Sequence, residues 1–334
     1  MKLNFSTKFK SILIPLLFVV LFIGIILIIK LPISQVFEYD LDEGYNVIKS
    51  LLFLNGFSLY REIWSDQPPL FTLVLSYCFK LFGPSVHHGR LLILIFSGIF
   101  LWAFYQTIKN LWGSFCAFTA VVFLILSAGY LRLSVSIMIG IPALALAMLS
   151  IYYATLYKKS YLKHLLILSG IFIALSLQTK FFTAFLIPII VLEIVYAKKP
   201  FLFPLLLWFG SFLVAYFAIA IRFFHFDFSL MFNQLLLPHL RQITITGPNF
   251  SVLWEMILAD YDIALLALMG IVLLIRQKKW QLFFPVWWLA IILITLMIWK
   301  PIWEHYYPLI SIPMCWLAAI GVSELFRSSF SSSM

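Results

Sequence analysis

Two carboxylates, Asp42 and Glu43, stand side by side just ahead of an apolar run. Acids in this position suit a helix N-terminus, where exposed N–H groups and the helix dipole favour negative charge. Val47, Ile48, Leu51, Leu52 and Leu54 follow at helical spacing, so the segment predicts an amphipathic helix. Neighbouring residues on a helix point about 100° apart, so Asp42 and Glu43 cannot share one task. One can face a substrate as a base while the other caps or orients. The alternative is a plain N-cap followed by a surface helix.

Other residues could join such a site. Asp66 precedes Pro68-Pro69, which force an extended entry and then permit a helix; it is either a capping side chain or a site acid. Arg90 opens a long apolar run after His87-His88-Gly89 and either snorkels to an interface or faces a phosphate. The His-His pair lacks further ligands at metal spacing. Lys180 follows Thr179 at the end of a short apolar run, as an anchor or an anion ligand. Arg241 lies in a polar stretch, and Glu304-His305-Tyr306 open the last apolar run as belt or site residues. Cys78, Cys116 and Cys315 are far apart in apolar surroundings and predict packing, not a disulfide or zinc framework.

The elements that position these residues must sit in lipid. Of 334 residues, 63% are hydrophobic and 11% charged, against roughly 45–50% and 25% in soluble domains. Mean hydropathy is +1.05. A cytosolic enzyme, a secreted disulfide scaffold, a disordered chain and a nucleic-acid binder are excluded. The net charge of +10 fits Lys and Arg in cytoplasmic loops.

Apolar runs at 11–30, 90–108, 112–131, 138–157, 164–179, 182–197, 201–221, 261–275, 281–299 and 306–326 predict about ten transmembrane helices in an all-α polytopic protein. The first run lacks a small-residue cleavage site and is expected to stay as an uncleaved helix with a cytoplasmic N-terminus. The run 68–83 is short and starts with two prolines. If it does not cross, the basic loops at Lys109, Lys158–Lys163, Lys198–Lys199, Arg276–Lys279 and Arg327 share the cytoplasmic side, as the positive-inside rule asks. Residues 31–89 then form a first external loop with amphipathic or re-entrant helices, and 222–260 a second. The chain is expected to be a single membrane domain over 1–334, with no C-terminal soluble domain.

Asp42-Glu43-Gly44-Tyr45, Asp66-Gln67-Pro68-Pro69-Leu70, Leu81-Phe82-Gly83 and Arg90-Leu91, in this order, resemble the dolichyl-phosphate-mannose protein mannosyltransferase and aminoarabinose transferase superfamily of C-type membrane glycosyltransferases. Ile137–Ala143, Leu177-Gln-Thr-Lys180 and His305-Tyr-Tyr-Pro308 are similar too. The match covers about 36–195 well and 300–322 loosely. The resemblance implies a sugar donor linked to a polyprenyl phosphate, an extracytoplasmic site in the inner (plasma) membrane, and inversion at the anomeric carbon. The acceptor is a hydroxyl on a lipid, glycan or protein.

By the same resemblance Asp42 is the general base and Glu43 a supporting acid. Lys180 would bind the donor phosphate, with Arg90 and then Arg241 as further candidates, and His305 and Tyr306 would face the cavity with Asp66. This agrees with elementary chemistry: a hydroxyl needs a base within reach, and a phosphate leaving group needs cations. Where some relatives carry a second external aspartate, Ser134–Gly140 has no acid. No cofactor is assigned, no metal ligand is named, and a divalent metal stays open. Membrane lipids are expected partners and nucleic acid is not. Two other classes compete: a lipid or sugar transporter or flippase, and an O-antigen polymerase or ligase using Arg222, His225, His239 and Arg241.

Overall fold

A computed structural model of the chain describes residues 13, 15–17, 19–24, 41–197, 200–224, 227–245, 250–278, 282–298 and 301–331. Helix α1 (Pro15–Gly24) precedes α2 (Leu41–Leu54), α3 (Leu70–Phe82), α4 (Val86–Trp112), α5 (Ser114–Leu126), α6 (Ala128–Leu133), α7 (Gly140–Ser160) and α8 (Lys163–Leu177). A 3-10 segment, Phe181–Leu186, leads into α9 (Ile187–Ala197) and α10 (Leu202–Phe224). Then come α11 (Phe228–Met231), a π-helical turn Phe232–Leu236, α12 (Leu237–Ile245), α13 (Phe250–Ala259), α14 (Tyr261–Arg276) and α15 (Phe284–Ile298). A 3-10 turn, Glu304–Tyr306, opens α16 (Pro308–Ser331). Among the described residues the β contribution is one isolated bridge between Leu59 and Ile63.

Helix α16 is the centre of the bundle, buried without a break from Tyr306 to Gly321. Around it pack α5, α14 and α15, while α4, α7, α8 and α10 continue the bundle in successive contacts, α4 with α7, α7 with α8 and α8 with α10. Small residues allow the closest approaches, as in membrane bundles where no hydrophobic force distinguishes helix from lipid. A Cβ on Gly270 of α14 would lie 2.1 Å from the Leu317 carbonyl oxygen of α16. Polar side chains link other pairs: Trp208 Nε1 donates to Ser169 Oγ at 3.1 Å, and Ser150 Oγ to the Ser169 carbonyl at 2.8 Å. On the outside, α10 exposes Leu202, Phe203, Leu206, Phe209, Val214 and Phe217. That contiguous apolar surface suits lipid contact.

Four helices, α4, α7, α10 and α16, are long and apolar enough to cross a membrane, and α13 with α14 forms a pair bent by 90°. The other apolar helices are 10–17 residues long. The ten crossings expected from the sequence therefore correspond to four or five full-length elements plus shorter ones. The run 112–131 is interrupted at Ser127, and 182–197 begins as a 3-10 segment before Pro188 enters the first turn of α9. The run 68–83 becomes α3, 13 residues, about 20 Å at 1.5 Å per residue and too short for a hydrocarbon core of about 30 Å. Both its ends lie at one end of the bundle. The Leu70 amide donates to the Gln178 carbonyl at 2.9 Å, and beyond Gly83 the first turns of α4 return to α2.

The 222–260 segment is not an irregular loop: its described part is mostly helical, in α11, the π turn, α12 and α13. The segment 31–89 is described from Leu41 onward and consists of α2, a tight turn, α3 and the start of α4; residues 31–40 lie outside the described residues, as do Lys198–Lys199, His225 and Lys279. The direction of the helices puts Lys109, Lys158, Lys163, Arg276 and Arg327 at one end of the bundle and Asp42, Asp66, Asp260 and Glu304 at the other.

The α14–α16 contact gives a stability test. Gly270→Ala drives a methyl into backbone and is expected to cost about 1–3 kcal/mol, read as a lowered midpoint of thermal unfolding in detergent. Gly210→Ala, with nothing within 4 Å, is expected to leave the midpoint unchanged. Equal midpoints for both variants would contradict this close packing.

Candidate active site

Asp42 and Glu43 occupy the first turn of α2 and diverge as helical geometry requires. Glu43 is buried and pairs with the fully buried Arg90 of α4, at 3.1 Å from Nε to Oε1 and 2.7 Å from Nη2 to Oε2. Glu43 Oε1 also accepts from the Ile137 amide at 2.8 Å, and Asn46, one turn on, donates from Nδ2 to the Ile137 carbonyl at 2.9 Å. This face of α2 thus clamps α4 and the segment before α7. Arg90, a phosphate candidate from sequence, is occupied behind the cavity by Glu43 and does not line it.

Asp42 lies on the other side of the helix, at a cavity of about 670 Å³. Tyr45 and Lys49, three and seven residues on, share its stripe. The helix is amphipathic in an inverted sense: Glu43, Asn46, Lys49 and Ser50 are buried, while Leu41 and Ile48 are exposed. The opposite wall brings Asp66, Arg132, Lys180, His239, Glu304, His305 and Tyr306. Five sequence candidates, Asp42, Asp66, Lys180, His305 and Tyr306, therefore meet in one cavity. Arg241 is exposed and absent from the lining; His239, two residues before it on α12, takes that place and its Nε2 lies 3.1 Å from the Asp66 carbonyl oxygen.

Lys180 is held in place by its backbone and by two rings. Its amide donates to the Ser176 carbonyl at 2.9 Å, its side chain is buried, and Nζ lies 4.9 Å from the Phe182 centroid and 5.0 Å from that of Tyr306. Aromatic faces hold a cation without neutralising it. Arg132 and Glu304 approach to 3.4 Å at the exposed rim, where an ion pair stabilises little. The turn below Asp66 is tightly fixed. Tyr60, with a φ of 73°, donates from its amide to the Ile63 carbonyl at 2.7 Å and from its hydroxyl to the Gln67 carbonyl at 2.8 Å. Such a conformation persists in a bulky residue only where its surroundings over-determine it.

A second cavity, about 360 Å³, adjoins the first. Its walls include Phe181, Phe185, Leu236, Ile292, Leu296 and Leu309, and it shares Gln67, Lys180, His239 and Tyr306 with the polar cavity. The two spaces adjoin at these four residues, Lys180 among them. Among the described residues no group of three or more His, Cys, Asp or Glu side chains is placed to hold a metal ion.

The sequence alone did not single out Lys49 or Trp64, and it assigned His239 only to the competing polymerase or ligase class. For Lys49 a signal existed: it is the one base between Glu43 and Leu54, seven residues after Asp42. Burial pulls its ammonium down to about 8, against the opposing pull of Asp66 and Asp42. Burial, with Asp66 and Asp42 next, pushes the Tyr45 hydroxyl up to about 12, so it stays a neutral donor to the Trp64 carbonyl at 3.2 Å.

Residues 66–222 match the model of the dolichyl-phosphate-mannose-protein mannosyltransferase family. No curated protein matches the chain by sequence. In fold, the chain is similar to ArnT from Cupriavidus metallidurans bound to undecaprenyl phosphate, with a TM-score of 0.72 and 14% identity. That likeness covers 94% of this chain and 62% of ArnT, so the chain spans about six-tenths of its length. It is also similar to the archaeal oligosaccharyltransferase AglB from Archaeoglobus fulgidus in complex with an inhibitory peptide and a dolichol-phosphate. There the TM-score is 0.64 and the identity 12%, over 99% of this chain and 52% of AglB. The architecture is an ArnT-like helical fold. The family match thus spans just under half of the chain, and the fold over nearly all of it is similar to that of ArnT and AglB.

Lys49 carries a measurable cost. The unfolded chain holds a proton on this lysine up to its ordinary value of 10.5 and the folded chain only up to about 8, so stability rises with pH between those values. Lys49→Met is expected to raise the unfolding midpoint at pH 7, with a gain of about 3 kcal/mol at most, and the gain is expected to shrink by pH 10. A gain that is the same at both pH values would show that the buried charge is not its source.

Proposed function

We propose that this protein is a membrane glycosyltransferase that moves a sugar from a polyprenyl phosphate to a hydroxyl acceptor, with Asp42 as general base. The observation that carries the reading is that a polar cavity and an apolar one adjoin and share Lys180 in their walls. The pair of spaces matches a molecule that is sugar at one end and hydrocarbon at the other, with a phosphate between. ArnT and AglB, which share the fold, were captured with undecaprenyl phosphate and a dolichol-phosphate, and this supports the same donor class here.

In this reading the hydrocarbon lies among Phe181, Phe185 and Leu296, and the phosphate meets Lys180. The sugar occupies the polar cavity beside Asp42. The acceptor hydroxyl gives its proton to the Asp42 carboxylate as its oxygen attacks the anomeric carbon from the face opposite the phosphate. The bond from that carbon to the phosphate oxygen breaks, and the configuration inverts. The phosphate gains negative charge as it leaves, and Lys180 stabilises it in a partly desolvated place, where a fixed cation acts most strongly. Glu43 cannot serve as this base in the arrangement described, because Arg90 and the Ile137 amide occupy its oxygens. It orients α2 instead. The acceptor is a lipid, a glycan or a protein, and the site faces the extracytoplasmic side of the inner (plasma) membrane with the N-terminus inside.

The test is turnover by the purified full chain with a panel of polyprenyl-phosphate sugars and a membrane extract as acceptor source. Release of polyprenyl phosphate is expected, and Asp42→Asn is expected to lower it by roughly 10²–10⁴-fold. Release that survives Asp42→Asn and vanishes in Arg241→Ala would instead favour the polymerase or ligase class. Sidedness is tested separately in intact cells. A cysteine replacing Val86 is expected to react with an impermeant external reagent, and one replacing Lys109 to be shielded; the reverse pattern would put the cavity on the cytoplasmic side.

A further inference from the structure

A third cavity, about 550 Å³, lies on the far side of the α2–α3 hairpin from the polar site. The two share no lining residue. The N-terminal half of α2 serves the polar cavity, while Phe53 and Leu54 at its C-terminal end serve this one. The turn between α2 and α3 divides them: Phe57, Ser58 and Leu59 face the third cavity, and Trp64, Asp66 and Gln67 the polar one. Tyr60, whose backbone is held at positive φ, fixes that wall.

The chemistry of the third cavity is one-sided. It contains two cations, Lys80 near the end of α3 and Arg222 near the end of α10, and no acid among its lining residues. Within the described residues neither cation has a hydrogen bond or an ion pair. The floor is apolar, built from Phe53, Leu73 and Phe223 among others. Beside it Tyr77, Phe57, Leu81 and Phe82 are exposed, as aromatic and apolar groups are where a protein meets the headgroup layer. Among the described residues no Asn, Gln, Asp or Glu lines it, and its uncharged polar residues are Ser58, Ser76 and Tyr77. Two cations without an ion pair among the described residues, above a hydrocarbon-like floor, match an amphiphile with an anionic head.

We propose that this cavity binds the phosphate-bearing headgroup of an anionic membrane lipid, with Lys80 and Arg222 on the phosphate and the acyl chain along Phe53, Leu73 and Phe223. The site is separate from the donor site, and the inference stands whether or not the proposed reaction is correct. A lipid seated there contacts α2, α3 and α10 together and so braces the hairpin that carries Asp42 and Asp66.

The experiment is native mass spectrometry of the full chain in zwitterionic detergent. Dioleoyl phosphatidylglycerol or dioleoyl phosphatidylcholine is added, and retained lipid is counted. Preferential retention of phosphatidylglycerol is expected. Each of Lys80→Gln and Arg222→Gln is expected to weaken it roughly fivefold, and the double variant roughly 30-fold, since a basic residue near an anionic surface contributes about 1 kcal/mol. Lys163→Gln, at the opposite end of the bundle, is expected to change nothing. An unchanged unfolding midpoint establishes that the variants are folded, and the single variants carry the test if the double one is not. Equal retention of the two lipids, or preference that survives both substitutions, would overturn the proposal. Displacement of phosphatidylglycerol by excess inorganic phosphate would overturn the lipid assignment in favour of a free-anion site.

Discussion

Two opposite charges removed from solvent must neutralise each other, and in this protein Glu43 and Arg90 do so at the point where α2 meets α4. Removing one partner of such a pair typically costs about 3–5 kcal/mol, because the other is left buried and uncompensated. The Ile137 amide supplies a third member and ties in the segment ahead of α7. Three separate parts of the chain are thereby fixed relative to one another. The direction of Asp42 follows from this: with Glu43 held against Arg90, helical geometry turns its neighbour toward the cavity. The adjacent acids thus divide, Glu43 as an anchor and Asp42 at the cavity wall.

The same logic explains the inverted amphipathicity of α2. In water its apolar face would turn inward. In a membrane protein the exposed face meets lipid or the interfacial layer, so Leu41 and Ile48 can point outward while Glu43, Asn46 and Lys49 are gathered inside. Polar groups are costly in such an interior unless they are paired or put to use. Glu43 and Asn46 are paired through Arg90 and the Ile137 backbone. Lys49 keeps its ammonium among Tyr45, Asp42 and Asp66 at the expense of stability, as groups retained for function commonly do. Lys180 obtains a milder version of the same treatment from two aromatic rings.

Helix length shapes the site as well. Helices α3, α8 and α9 are short for a bilayer, and the chain uses the space they leave. The α8 helix ends at Leu177, so Lys180 stands on extended backbone at cavity depth and not at an outer rim. The 3-10 segment that follows presents Phe181 and Phe185 to the apolar space, and Lys180 just before it lines both spaces. Broken and shortened helices are tolerated at membrane depth where they line a cavity, and both cavities here are lined by such breaks.

Composition and hydropathy alone determined that the chain is a helical membrane protein. Local pattern placed a helix start at Asp42-Glu43, a short helix after Pro68-Pro69 and a terminus near Lys180. Basic residues fell in the connections at one end for a reason written in the sequence, namely the unequal distribution of Lys and Arg among short loops. Where side chains point was another matter. Arg90 carried the same signal as Lys180, a cation near the end of an apolar run, and Arg241 stood in a polar stretch, yet the first faces Glu43 and the second stands outside the cavity, while His239 and Lys49 line it. A charge near a helix end is a local fact. Whether it meets an acid, a ring or an empty cavity depends on contacts between residues far apart in the chain, such as Glu43 with Arg90 and Asp66 with His239, and only the tertiary structure decides those.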